Sequence, residues 1–299
     1  DFKSAYDMLT LVISELYKQH LYLLESSQIN EFDKQIALRI IRGDASVKEI
    51  KDSLMLLTRL LRAYYGKQVI LLIDEYDVPV AKANQNGYYN EMLDMMKSLM
   101  QSLKDNQSLR FAVITGCLKI AKESIFTGTN NLVSDTITAS RLNEYFGFVQ
   151  KDVDRILEDA DAKEYAANIK KWYDGYKLNG KDIYNPNSVV SAIVDGVCQP
   201  YWSGTSSNEE VIRLINMNFR GIKTDITKLI DGIKIPFNSN NFQNDMVNLK
   251  DKNDIFSLLV CLGYLGCIEK KNGLKLAHVP NQEIKQTLLS IVKGQKWSR

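Results

Sequence analysis

The apolar run Val69-Ile70-Leu71-Leu72-Ile73 ends on two adjacent carboxylates, Asp74 and Glu75, followed by Tyr76, Asp77, Val78 and Pro79. A parallel strand tolerates apolar side chains on both faces, so its first acids fall at its carboxyl end, where open α/β sheets bind ligands. An aspartate placed there can hold a divalent cation, and an adjacent glutamate can polarise an attacking water. A second apolar run, Leu109 to Ile114, ends on Thr115 and Gly116. A hydroxyl at that strand end is placed to hydrogen-bond near a transferring phosphate or its attacking water. These types and spacings suggest phosphoryl transfer to water, with Asp74, Glu75 and Thr115 as catalytic residues and Asp74 as the metal carboxylate. The plainer reading is that acids and a threonine simply end two buried strands.

Aspartate then glutamate at such a strand end is the Walker B pattern, and its usual companion is a phosphate loop, G-x-x-x-x-G-K-[ST]. Backbone amides of that loop cradle the phosphates, its lysine reaches the β and γ groups, and its hydroxyl ligates magnesium. Gly175-Tyr176-Lys177-Leu178-Asn179-Gly180-Lys181-Asp182 comes near the pattern. It fails on context: Asp182 replaces the hydroxyl, a helical pattern precedes it, and Pro186 interrupts the helix that should follow. It reads as a turn.

Other groupings are weaker. Glu269-Lys270-Lys271 has the E-x-K spacing of metal-dependent nucleases, but it runs into the turn formers Asn272-Gly273 with no companion aspartate upstream. Trp172-Tyr173 and Tyr201-Trp202 could stack bases, yet they sit among apolar helical positions and tight turns, which favours core packing. The 4 cysteines lack a C-x-x-C pair and the chain has only 2 histidines, so no structural zinc site is expected and the thiols read as reduced core residues.

The elements that must position the acids follow from periodicity. A helix is expected from Ala5 to about Leu24, with Leu9, Val12, Ile13, Leu16 and Tyr17 on one stripe. A second has a Ser46–Glu49 capping box, Ile50, Leu54, Leu57 and Leu61 on one face, and Gly66 as its left-handed stop. A third covers Tyr88 to Leu103 between the two apolar strands, and strand, helix, strand is the unit of a parallel sheet. Beyond residue 150 helical patterns dominate. Asn185-Pro186 starts one of them, and helices at Thr224–Ile230 and Asp254–Leu262 precede a hairpin around Asn272-Gly273 and a closing helix, a winged-helix order.

With 299 residues and 45% hydrophobic content the chain has ample material for a core. Its 38 basic and 36 acidic residues are too balanced to argue for nucleic-acid binding by bulk charge. No apolar run is long enough for a transmembrane helix, and a cytoplasmic protein without membrane association is expected. The start at Asp1, directly in a helical pattern, suggests an excerpt of a longer polypeptide.

Taken together, these motifs resemble the AAA-ATPase-like proteins of bacteria, P-loop NTPases often joined to a C-terminal PD-(D/E)XK-type nuclease domain. The likeness is carried by Leu72 to Pro79, Thr115 to Phe126, Asn130-Asn131-Leu132, Phe146-Gly147-Phe148, Trp172 to Tyr176, Ile183 to Pro186, Tyr201-Trp202 and Gly263-Tyr264-Leu265. It implies an α/β fold: a partial P-loop NTPase (ASCE/RecA-like) parallel-sheet core over 1–149, a helical lid-like region over 150–215, and a winged-helix-like domain over 216–299. It also implies ATP and Mg²⁺ as cofactors of the intact protein, with Asp77 and Lys119 toward the cofactor. The sequence departs from the family at Lys119, usually arginine, and lysine cannot make a planar bidentate phosphate contact. The family's glycine-rich lysine loop and nuclease both fall outside these residues.

The expected function is therefore that of a nucleotide-dependent switch protein whose Walker B is present and Walker A absent. No tight nucleotide binding or turnover is expected of the chain alone. The alternative is a degenerate, non-catalytic module that recognises protein or DNA through its winged helix.

Overall fold

The computed structural model describes residues 1–117, 133, 142–178, 180–202, 208–217, 219, 221–239, 242, 249–270 and 274–294. The chain divides into two compact units, one of Asp1–Leu132 with Asp245–Val247 and one of Val133–Asn244 with Asn248–Arg299.

The first unit opens with α1 (Phe2–Lys18), capped by the Asp1 side chain, and a short 3-10 turn. Helix α2 (Glu31–Arg42) starts where the Asn30 side chain accepts from the Asp33 amide and stops at Gly43 in the left-handed region. The Ser46–Glu49 capping box is present, but it starts only the five-residue α3 (Val47–Lys51). The chain breaks at Asp52 and resumes as α4 (Ser53–Tyr65), which Gly66 ends with φ 63°. The face α4 buries is Ser53, Leu56, Leu57 and Leu60, whereas Leu54 and Leu61 are half-buried. Likewise Ile13 and Tyr17 of α1 are buried, but Val12 points outward.

Strand β1 (Val69–Ile73) pairs in parallel with β2 (Leu109–Ile114), and α5 (Val78–Asn86) and α6 (Tyr89–Met100) form the crossover between them. One face of this pair is half-buried: Val69, Leu71, Ile73, Ala112 and Ile114. On the other, Ile70 lies opposite Phe111 and Leu72 opposite Val113. These four side chains are 48%, 48%, 71% and 47% exposed, respectively. Parallel sheets are ordinarily covered on both faces, so this is an unusually bare apolar surface.

The second unit carries two antiparallel sheets. In the first, β3 (Phe148–Val149) and β4 (Tyr176–Leu178) flank β5 (Lys181–Tyr184). Helices α7 (Gln150–Asp159), α8 (Ala166–Tyr173) and α9 (Pro186–Asp195) bury Val153, Leu157, Ile169, Tyr173, Val189 and Ala192 in one cluster. Asn185 caps α9 by accepting from the amides of Asn187 and Ser188, as its Asn-Pro start predicts. After α10 (Asn208–Asn216) and α11 (Ile222–Ile230) comes the second sheet, in order β6 (Ile235–Phe237), β8 (Lys275–His278), β7 (Gly266–Glu269). Helix α12 (Lys252–Cys261) lies between β6 and β7 in the chain, and α13 (Gln282–Gly294) closes it.

Glu283, in the first turn of α13, is 1% exposed. It accepts hydrogen bonds from Ser188 Oγ (2.9 and 3.0 Å) and the Trp202 amide (2.9 Å), joining α9, the segment after it and α13. Trp202 in turn packs on Tyr264 at 4.6 Å between ring centroids, and Tyr173 is fully buried. These aromatics serve the core, not a stacking platform.

Candidate nucleotide site at the strand ends

The acids sit where β1 runs out beside the end of β2. The Thr115 amide donates to Ile73 O at 2.9 Å, continuing the ladder by one residue, and the Tyr76 amide donates back to Thr115 O at 3.1 Å. The loop after β1 is thus folded against the terminus of β2. Asp74 Oδ1 accepts from the Glu75 amide at 3.0 Å and from the Thr115 hydroxyl. Both Asp74 and Glu75 are exposed at this rim.

Glu75 has φ 52°, a left-handed backbone that a residue with a Cβ adopts at a cost of about 1–2 kcal/mol. Its neighbours hold it there: its own amide is tied to Asp74, its carbonyl accepts from the Val78 amide at 3.1 Å, and the next amide is tied to Thr115. Strain of this kind, fixed by surrounding hydrogen bonds, is common where a side chain must be aimed. Asp77 follows at the start of α5 and is buried, as is Tyr76.

Gly116 completes the arrangement. A Cβ there would fall 2.7 Å from two ring carbons of Tyr76 and closer still to Asp77 Oδ1. The Thr-Gly pair reads from sequence as a strand end and a turn, but the glycine is required by close approach. Only the absence of a side chain lets the acidic loop seat on β2. No pattern in the chain marks such a contact in advance.

Cys117, next along, is exposed and not the core residue its type suggests. Desolvation of its sulfur raises the thiol pKa above the ordinary range, and the charges of Asp77, Glu75 and Asp74 push it the same way. Both effects favour the neutral thiol over the thiolate beside the acids.

The structure brings Asp74, Glu75, Asp77 and Thr115 together. Lys119 lies outside the described residues, as do Lys271 of the E-x-K run and the Asn272-Gly273 turn. The near-match to a phosphate loop is an antiparallel β4–β5 hairpin with Gly180 at φ 80°. Within it Lys177 pairs with Asp182 at 2.5 Å and Lys181 pairs with Glu144, so neither lysine stands at a phosphate cradle.

Among the described residues no three His, Cys, Asp or Glu side chains converge as protein ligands for a metal. That donor set still suits magnesium, which takes one or two carboxylates and fills its shell with phosphate oxygens and water.

Residues 1–126 match the family described as AAA-ATPase_like, predicted AAA-ATPase. The family match thus covers the amino-terminal 126 of the 299 residues. The chain is also similar to an uncharacterized protein in the vnfD 5′ region of Azotobacter chroococcum mcd 1, at 30% identity over 161 residues. That similarity covers 53% of this chain and 31% of the relative, so about half of this chain aligns with about a third of a longer polypeptide. No solved structure matches. No helix among the described residues is long and apolar enough to cross a membrane.

Proposed function

We propose that this chain is the Walker B-bearing part of an AAA-ATPase-like, nucleotide-driven switch protein. The observation that carries the reading is the hydrogen bond from Thr115, at the end of β2, to Asp74, at the end of the parallel neighbour β1, with Glu75 held beside them. Asp74 would hold Mg²⁺, whose charge offsets that of the phosphates when it is bound. Glu75 is the group that accepts the proton of the attacking water, and Asp77 belongs to the same rim.

The bare face of the sheet supports a partial P-loop core. Four adjoining apolar side chains, each 47% exposed or more, on two parallel strands fit a sheet whose remaining layers, with the phosphate loop, belong to sequence outside these residues. Without the loop's backbone nest and lysine, the 299-residue chain alone does not turn over ATP. The test is Mg²⁺-dependent hydrolysis by the full-length gene product, compared with Glu75→Gln.

The second reading, DNA recognition through a winged helix, has the right connectivity behind it: helix, strand, helix, hairpin, in sheet order β6-β8-β7. The helix that would enter a groove argues against it. On α12, Ile255, Phe256, Ser257, Leu258, Leu259 and Val260 are all buried, and Lys252 is paired with Asp225 at 2.9 Å. A reading helix needs an exposed polar face, so we assign this module a packing role.

A further inference from the structure

We infer that Thr115 is a positioning residue for the magnesium carboxylate and does not itself contact phosphate; the inference rests on the nucleotide-site reading above. A threonine hydroxyl has one hydrogen to donate. Here it goes to Asp74 Oδ1, the same oxygen that accepts from the Glu75 amide. A phosphate oxygen or the lone pair of an attacking water can only accept from such a group, so Thr115 cannot serve Asp74 and phosphate at once.

The backbone around Thr115 is built to hold this contact. Its amide and carbonyl are both engaged with the β1 end, through Ile73 O and the Tyr76 amide. Gly116 then lets the Tyr76 ring and the Asp77 carboxylate pack directly against the strand. Thr115 and Gly116 together form the surface on which the acidic loop is set. The hydroxyl fixes the Asp74 carboxylate's rotation, and a preset carboxylate gives up less rotational freedom when it takes a cation.

The two roles separate by metal dependence. In the full-length gene product, ATP affinity is measured by calorimetry with Mg²⁺ and with EDTA, for wild type, Thr115→Ser and Thr115→Ala. Both variants lose the methyl group, but only serine keeps the donor, so any general packing damage is common to the two. We expect Thr115→Ala to weaken Mg·ATP binding about tenfold, in line with a hydrogen bond to a charged group, while the affinity in EDTA stays at the wild-type value and serine restores Mg·ATP binding. Adding Thr115→Ala to Asp74→Asn should change nothing further, since one acts through the other.

An equal loss with and without Mg²⁺, or additive effects in the double variant, shows direct phosphate contact and overturns the assignment. Thr115→Ala binding Mg·ATP as wild type does also overturns it. Wild-type protein that binds no nucleotide overturns the functional reading as well, a result distinct from the others.

Discussion

Gly116, just past the end of β2, and Asp77, at the start of α5, approach so closely that no side chain fits between them. Glycine at 116 is therefore a steric requirement, not a conformational one. Alanine there must displace the Tyr76 ring or the Asp77 carboxylate, both buried, and overpacking of this kind costs about 1–3 kcal/mol. Gly116→Ala should lower the thermal midpoint of the first unit by several degrees, read by circular dichroism. An unchanged midpoint would show that the loop has more room than the structure gives it.

Glu283 offers a pH test in the second unit. Burial raises its carboxyl pKa above the ordinary 4.5, against the opposing effect of hydrogen bonds from the Trp202 amide and Ser188. Among the described residues no side-chain cation is one of the groups that shift it. For an acid whose folded pKa exceeds its unfolded one, the favourable contribution is complete below the unfolded value and is lost as pH rises through the folded value. Chemical denaturation from pH 4 upward should thus show a downward slope from this group that sets in as pH rises past the ordinary 4.5, flatter in Glu283→Gln. The same slope in the glutamine variant would remove Glu283 as its source. Glu283→Ala should cost about 1–3 kcal/mol at any pH, because Ser188 and the Trp202 amide lose a buried acceptor.

Which parts of this were legible in the sequence depends on how local the signal is. Strands β1 and β2 lie where their apolar runs put them, and the Ser46–Glu49 box and Asn185 cap are formed by the residues that signal them. Helix α5 leaves little trace because it buries only Val80 and Ala83. The α3–α4 break was hidden because Ile50, Leu54, Leu57 and Leu61 stay in helical phase across Asp52, while the tertiary core keeps Ile50 and Leu57 but takes Leu56 and Leu60 in place of Leu54 and Leu61. At the candidate site the acids and Thr115 announce themselves by type and position. The Thr115–Asp74 bond and the Gly116 contact join residues about 40 positions apart, and only folding brings them together.

The burial of α12 makes a prediction about nucleic acid. Duplex DNA should bind the 299-residue chain no better than an ordinary protein of net charge +2. Fluorescence anisotropy with a labelled duplex at low and moderate salt checks this. Tight binding that weakens steeply with salt and is abolished by substitutions on α12 would restore the winged-helix reading.

Asp74 and Glu75 are proposed above to act as a hydrolytic pair. The most direct measurement is steady-state ATP turnover by the full-length gene product, with and without Mg²⁺, for wild type and Glu75→Gln. Mg²⁺-dependent turnover is expected in wild type and should fall about 10²–10⁴-fold in Glu75→Gln, the range of a lost general base, with nucleotide binding retained. Wild-type protein without Mg²⁺-dependent turnover, or a glutamine variant as active as wild type, would contradict it.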